Sequence, residues 1–214
     1  MRIAIAGGHG QIALALARLL TERGDEVRSL IRNPDHAGDI EATGAEPVVC
    51  DLENAAGEEV AAAVGDAEAV VFAAGAGPGS GPDRKWTMDY GGAVKLINAA
   101  KAAGADRYVM VGSMGADANA PGDDTFAVYL RAKGQADEDL RASGLDFTVI
   151  RPGRLTDDAG TGQVALAENG ERGEIPRADV AAVLAAVLHA PNTIGKTLDL
   201  ISGDVLVEEA VKAL

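Results

Sequence analysis

An apolar strand running straight into a glycine-rich turn, and from there into an amphipathic helix, constrains this chain more than any other feature. Arg2-Ile3-Ala4-Ile5-Ala6 is β-compatible, and Gly7-Gly8-His9-Gly10 follows at once. Ile12, Leu14, Leu16, Leu19 and Leu20 then supply the apolar face of a helix that should end at Gly24. Gly7 permits a tight turn, Gly10 lets the backbone approach a ligand, and Ala13, where a third glycine often stands, still allows close helix–strand packing. The N–H groups that open such a helix face an anion. In this setting Gly7-Gly8-His9-Gly10-Gln11-Ile12-Ala13 reads as a dinucleotide pyrophosphate site, the alternative being a tight turn without a ligand.

The rest of the chain repeats strand and helix. Strands are expected over Glu26–Ile31, stopped by Asn33-Pro34, and over Pro47–Cys50, Ala69–Ala73, Arg107–Val111 and Phe147–Ile150. Helices are expected near Asp39 and over Glu58–Val64, Asp89–Ala103 and Thr125–Ser143. Continuously apolar strands alternating with helices predict an α/β fold, a doubly wound parallel (Rossmann) sheet covered on both faces. Residues 154–214 read differently: a turn-rich stretch, a helix over Asp179–His189, a strand over Thr197–Ile201 and a terminal helix. About 60 residues hold only a marginal core alone, so the expectation is one domain over 1–214. Within it, 1–153 form the cofactor core and 154–214 a small C-terminal substrate lobe. The glycine-rich segment Gly75–Pro82 reads as a flexible loop at the carboxyl end of the fourth strand, where ligands of such sheets bind.

The end of the second strand bears on the nucleotide. An NAD site places an acid there for the ribose hydroxyls, but the strand ends Ser29-Leu30-Ile31-Arg32-Asn33. The Arg32 guanidinium suits a 2′-phosphate, which points to NADP(H) as the preferred cofactor with NAD(H) as the alternative. A solvated surface arginine is the other reading of Arg32. Asp51-Leu52 borders the adenine in this scheme, or Asp51 caps the next segment.

Tyr129 and Lys133 are four residues apart in an expected helix, so they share a face. An ammonium near a phenol favours its ionised form, which suits a tyrosine to proton exchange with a carbonyl or alcohol. Ser113 follows the fifth strand and is placed to hydrogen-bond the same oxygen, if all three groups converge. A half-buried tyrosine beside a surface lysine is the other outcome. Trp86 reads equally as pocket wall or packing anchor.

Composition narrows the partners. With 33 acidic and 19 basic side chains the net charge is −14, which argues against nucleic acid and anionic membranes and leaves a small-molecule substrate. No apolar run reaches the ~18 residues of a membrane span. The lone Cys50 makes no internal disulfide, and the start lacks a signal-peptide layout, so the expectation is cytoplasmic. Three scattered histidines form no metal box. A homodimer stays open, because a helix face buried in a dimer has the periodicity of one buried in the core.

Together these landmarks resemble the short-chain dehydrogenase/reductase superfamily, in its atypical NAD(P)H-binding branch of small one-domain (NmrA-like) proteins. Ala6–Ala13 looks like that branch's cofactor turn and Leu30-Ile31-Arg32-Asn33-Pro34 like its NADP-type second strand. Val109–Ser113, Tyr129-x-x-x-Lys133, Ile150–Leu155 and Arg177-Ala178-Asp179-Val180 match later landmarks. The resemblance implies cofactor contacts from Gly7, His9, Gly10, Gln11, Ile12, Arg32, Asp51, Leu52, Ala73, Ala74, Gly75, Lys133, Pro152, Gly153 and Arg154, and catalysis by Ser113, Tyr129 and Lys133. It departs in the 16-residue gap between Ser113 and Tyr129, whose insertion either displaces Tyr129 or loops outward. The expected function is NADP(H)-dependent oxidoreduction of a small carbonyl, quinone or alcohol. An NADP(H)-binding redox sensor and a nucleotide-sugar epimerase or dehydratase are the alternatives.

Overall fold

In the computed structural model, which describes residues 1–77 and 79–214, β1 (Arg2–Ala6) lies near the middle of a twisted sheet. Around it, in chain order, are β2 (Glu26–Ile31), β3 (Glu46–Val49), β4 (Ala69–Phe72), β5 (Arg107–Val111) and β6 (Asp146–Pro152). The later strands are β7 (Arg154–Thr156), β8 (Gln163–Ala167), β9 (Glu174–Pro176), β10 (Lys196–Ser202) and β11 (Val205–Leu206). Among the described residues nine of these form one sheet, ordered β11-β8-β10-β6-β5-β4-β1-β2-β3. From β3 to β10 every neighbouring pair is parallel, while β8 runs antiparallel to β10 and β11. This is the doubly wound Rossmann arrangement, with its reversal of strand order between β1 and β4.

Both faces are covered because both faces are apolar. Ile3, Ile5, Ala69, Val71, Val109, Leu198 and Leu200 point to one side. There they meet α1 (Gln11–Glu22), α7 (Arg177–Leu188) and α8 (Val207–Lys212). Ala4, Ala6, Val70, Phe72, Tyr108 and Met110 point to the other. That side is closed by α3 (Gly57–Val64), α5 (Gly91–Ala103) and α6 (Thr125–Ala142). The short α2 (Ala37–Glu41) links β2 to β3. No helix among the described residues is long and apolar enough to cross a membrane.

Three expectations change. The stretch after Arg154, read as turn-rich, contains β7, β8 and β9, and β11 follows later. The segment set apart as an appended lobe is also divided. β10 pairs with β6 as a further parallel strand, and α7 fills the core beneath it, while β7 and β9 make a separate two-stranded ribbon. The helix expected from Asp89 begins earlier, as α4 (Pro82–Arg84) followed by a π-helical turn over Lys85–Tyr90 that feeds α5. In the loop expected over Gly75–Pro82, Pro78 lies outside the described residues.

Candidate functional site

The first cleft opens where β1 meets α1. Gly7 has φ +81°, and a Cβ on it would lie 2.6 Å from Ala74 Cα; one on Gly8 would lie 2.7 Å from Ser29 Cβ. The turn thus presses against β2 and the segment after β4 more closely than any side chain permits. Gly8 N–H donates to Leu30 O (2.9 Å) and Gly10 N–H to Gly7 O (2.9 Å), which fixes the turn. Helix α1 starts with no capping side chain and no acid in its first turn, so its leading N–H groups and positive dipole end are left for an anion. The glycine cradle and uncapped helix suit a pyrophosphate.

This cleft, about 340 Å³, brings together Gly7, His9, Gly10, Arg32, Asp51, Leu52, Ala73, Ala74 and Gly75, nine of the residues expected to contact the cofactor. It adds His36, one of the three histidines. The His9 and His36 rings stack at 3.5 Å and 14°, and His9 Nε2 is 2.8 Å from Asp39 Oδ2. Arg32 is exposed at the end of the cleft and makes no ion pair among the described residues. Burial pushes the Asp51 carboxyl upward. The Asn54 side chain (2.9 Å), the Glu53 and Asn54 N–H groups and the Arg32 charge outweigh that and hold it below the usual carboxylate range.

A second cavity, about 820 Å³, shares the wall Ala73–Gly77 with the first. Ile12, Ser113, Tyr129, Lys133, Pro152 and Gly153 line it. Ser113, Tyr129 and Lys133 therefore face one space. The insertion before α6 does not displace Tyr129, because it is bound to α6 itself. Asp117 N–H donates to Leu130 O, and Arg131 Nη1 donates to Ala120 O (2.8 Å) and Gly122 O (2.6 Å). Gly134 makes the contact feasible: a Cβ there would fall 2.2 Å from Ala118 N. Gln11 is exposed and lines neither cavity. The structure does not bring Arg154 to the site either, since its guanidinium is ion-paired in solvent with Glu174 on β9.

The charges around the second cavity include two that sequence reasoning missed. Lys133 is 3% exposed; its Nζ donates to Val111 O (3.1 Å), lies over the Phe72 ring and is 3.5 Å from Asp89 Oδ1. Asp89, 1% exposed, also accepts from Ala76 N–H at 3.2 Å, so it ties Lys133 to the wall between the cavities. Lys85, a turn earlier, lies with its Nζ 5.6 Å from the centre of the Tyr129 ring. Its predecessor Arg84 faces the first cleft and is held by Glu53 (3.1 Å) and Ala76 O (2.7 Å). Glu53 is kept below the usual carboxylate range by the Thr87 hydroxyl, with burial opposing and Arg84 adding to the effect. π-helical turns gather at functional sites, and this one delivers both Lys85 and Asp89. No local signal marks either residue: Asp89 opens an expected helix, and Lys85 lies between that helix and the Gly75–Pro82 segment. Trp86 packs edge-on against Tyr90 (5.8 Å, 85°) and lines neither cavity.

Beneath Lys133 on α6, Asp137 is fully buried against Arg151 Nη2 at 2.6 Å. Burial raises its carboxyl above the usual range despite the Arg151 charge.

Comparison with known proteins agrees with the geometry. Over its full length the chain is 39% identical to the "Uncharacterized sugar epimerase YhfK" of Bacillus subtilis, and covers all of that protein. A solved structure described as a putative NAD-dependent epimerase/dehydratase from Bacillus halodurans superimposes with a TM-score of 0.92 at 35% identity, each chain covered completely. The oxidoreductase ylbE from Lactococcus lactis follows with a TM-score of 0.87 at 25% identity, covering 100% of this chain and 96% of its own. Residues 7–191, which include the glycine turn of the first cleft, the wall shared by the two cavities and the Tyr129–Lys133 face of the second, match the NAD(P)H-binding family. The chain belongs to that family and is built to hold a nicotinamide dinucleotide.

Proposed function

We propose that the protein is an NADP(H)-dependent oxidoreductase that reduces a small carbonyl or quinone, or oxidises the corresponding alcohol. The observation that carries this reading is the convergence of Ser113, Tyr129 and Lys133 on one cavity that shares a wall with the dinucleotide cleft. When bound, the cofactor supplies or accepts the hydride. The Gly7–Gly10 turn and the start of α1 hold its pyrophosphate, and Arg32, with His9 and His36 beside it, receives the 2′-phosphate. Tyr129 donates the proton to the substrate oxygen in the reductive direction, and Ser113 positions that oxygen by a hydrogen bond. Lys133, oriented by Val111 O and Asp89, holds the nicotinamide ribose and adds positive charge on the Tyr129 face of α6. The lone, buried Cys50 fits a reducing, cytoplasmic setting.

The descriptions of two relatives support a second reading, epimerisation of a nucleotide sugar. A diphosphate sugar needs several cations. Among the described residues lining the second cavity the cations are Lys85 and Lys133, and Lys133 is already paired with Asp89. That balance favours the smaller carbonyl substrate. The sensor alternative draws no support from the insertion before Tyr129, because that segment is fastened to α6.

Calorimetric titration with NADPH and with NADH, followed by turnover of a carbonyl and quinone panel by wild type and Tyr129→Phe, tests the proposal. The expected result is tight NADPH, weaker NADH, and a variant that binds NADPH normally but loses at least about 100-fold in kcat. Equal turnover by the variant removes the acid role. Absence of NADPH binding removes the whole reading.

A further inference from the structure

We propose that Lys85 is an anchor for a carboxylate on the substrate, so that the carbonyl compound taken by the second cavity is itself an acid. This rests on the oxidoreductase reading above and deepens it. Lys85 is 9% exposed, and its ammonium lines the cavity beside Tyr129. Its partners among the described residues are neutral: Gly77 O at 3.1 Å and Ser80 Oγ at 2.8 Å. It enters no ion pair among those residues. The acid four positions on, Asp89, is committed to Lys133 and Ala76. A chain with 33 acids and 19 bases has carboxylates to spare, and it supplies them to Lys133, Arg84, Arg151 and Lys196. A buried ammonium met only by dipoles is a charge that gains from an incoming anion.

Position decides which anion. Arg84 faces the cofactor cleft and is satisfied by Glu53, whereas Lys85 faces the substrate side. The ligand is therefore the substrate's own group rather than a cofactor phosphate. A single ammonium matches a monoanionic carboxylate better than a dianionic phosphate, which calls for more donors. The rest of the molecule is apolar: Phe126, 64% exposed, stacks on Tyr129 (6.0 Å, 30°) at the cavity and offers a ring to a flat body.

The test is calorimetric titration of the NADPH-loaded protein with benzoylformate and with benzoylformamide, its neutral isostere. Wild type is expected to bind the acid at least about 10-fold more tightly than the amide. Lys85→Met should erase that preference by weakening the acid alone, with NADPH affinity and amide binding unchanged, and Lys85→Arg should restore most of it. The wild-type comparison stands by itself if Lys85→Met does not fold. Equal binding of acid and amide by wild type, or no binding of the acid, overturns the proposal. So does an equal loss of both probes in Lys85→Met, which makes the lysine a tether for Gly77 and Ser80, or a matching loss of NADPH, which makes it a cofactor contact. Failure of the parent reading looks different: wild type does not bind NADPH, or Tyr129→Phe turns over as wild type does while the acid preference persists.

Discussion

Lys133 and Asp89 form a buried ion pair, Nζ to Oδ1 at 3.5 Å, that joins the helix carrying Tyr129 to the wall dividing the two cavities. The partner residues are 44 positions apart, and each also holds a backbone group: Lys133 the carbonyl of Val111, Asp89 the amide of Ala76. One pair thereby sets the geometry of α6, β5 and the post-β4 segment together.

Removing one member leaves the other charged and buried. Lys133→Met is expected to destabilise the protein by about 3–5 kcal/mol, and Asp89→Asn by a comparable amount. The double variant Asp89→Asn/Lys133→Met should recover much of that stability without recovering turnover. Urea unfolding of the three variants checks the coupling. Additive losses would show that the pair does not act as a unit.

Arg32→Ala should weaken NADPH binding by about 10- to 100-fold and leave NADH nearly unchanged, since only the 2′-phosphate contact is removed. Paired titrations of the variant measure the ratio directly. An equal loss for both nucleotides would place Arg32 elsewhere in recognition.

Gly134→Ala runs against ordinary helix propensity. In an exposed helix the change stabilises by about 1 kcal/mol. Here the new methyl would lie 2.2 Å from Ala118 N, so the insertion must lift from α6. A loss of about 1–3 kcal/mol is expected. With it should come a fall in kcat, as Tyr129 loses its support, and unchanged NADPH affinity. Thermal melts and kinetics on the same preparation separate the two effects.

Glu53 predicts an acid-side stability loss with a definite sign. Its carboxyl titrates below the usual range in the folded state because the Thr87 hydroxyl and Arg84 bind its ionised form. Its contribution is complete above the unfolded value of about 4.3 and is lost as pH falls through the folded value. Glu53→Gln should therefore be less stable than wild type by about 1–2 kcal/mol at pH 7, with the gap closing below about pH 4. Denaturant midpoints taken across pH 3–7 show the convergence.

What the sequence disclosed follows from the range of the forces involved. The glycine turn, the parallel strands and the Tyr129–Lys133 face are local patterns, set by residues within a few positions of each other, and they stand where they were read. β8 has one fully buried side chain, Val164, and is held by antiparallel pairing to β10 some 35 residues later. Nothing local marks it. The same holds for Lys85 and Asp89, whose burial depends on a π-helical turn and on partners across the fold. His36 entered the cofactor cleft through its stacking on His9, a contact between the glycine turn and the short helical turn that precedes α2. Arg154, chosen by resemblance, turned outward to Glu174 because β7 pairs with β9.

The pairing of β10 with β6 has a consequence for the order in which the protein becomes competent. Gly153, in the wall of the second cavity, is fixed by its N–H to Leu200 O at 2.9 Å, and Leu200 belongs to one of the last strands made. A nascent chain emerges N-terminus first. The residues that line the dinucleotide cleft, from Gly7 to Met88, are made while the ribosome is still at work. The substrate chamber waits for β10, so the growing polypeptide passes through a stage in which the pyrophosphate cradle is already made and a reactant has nowhere to go.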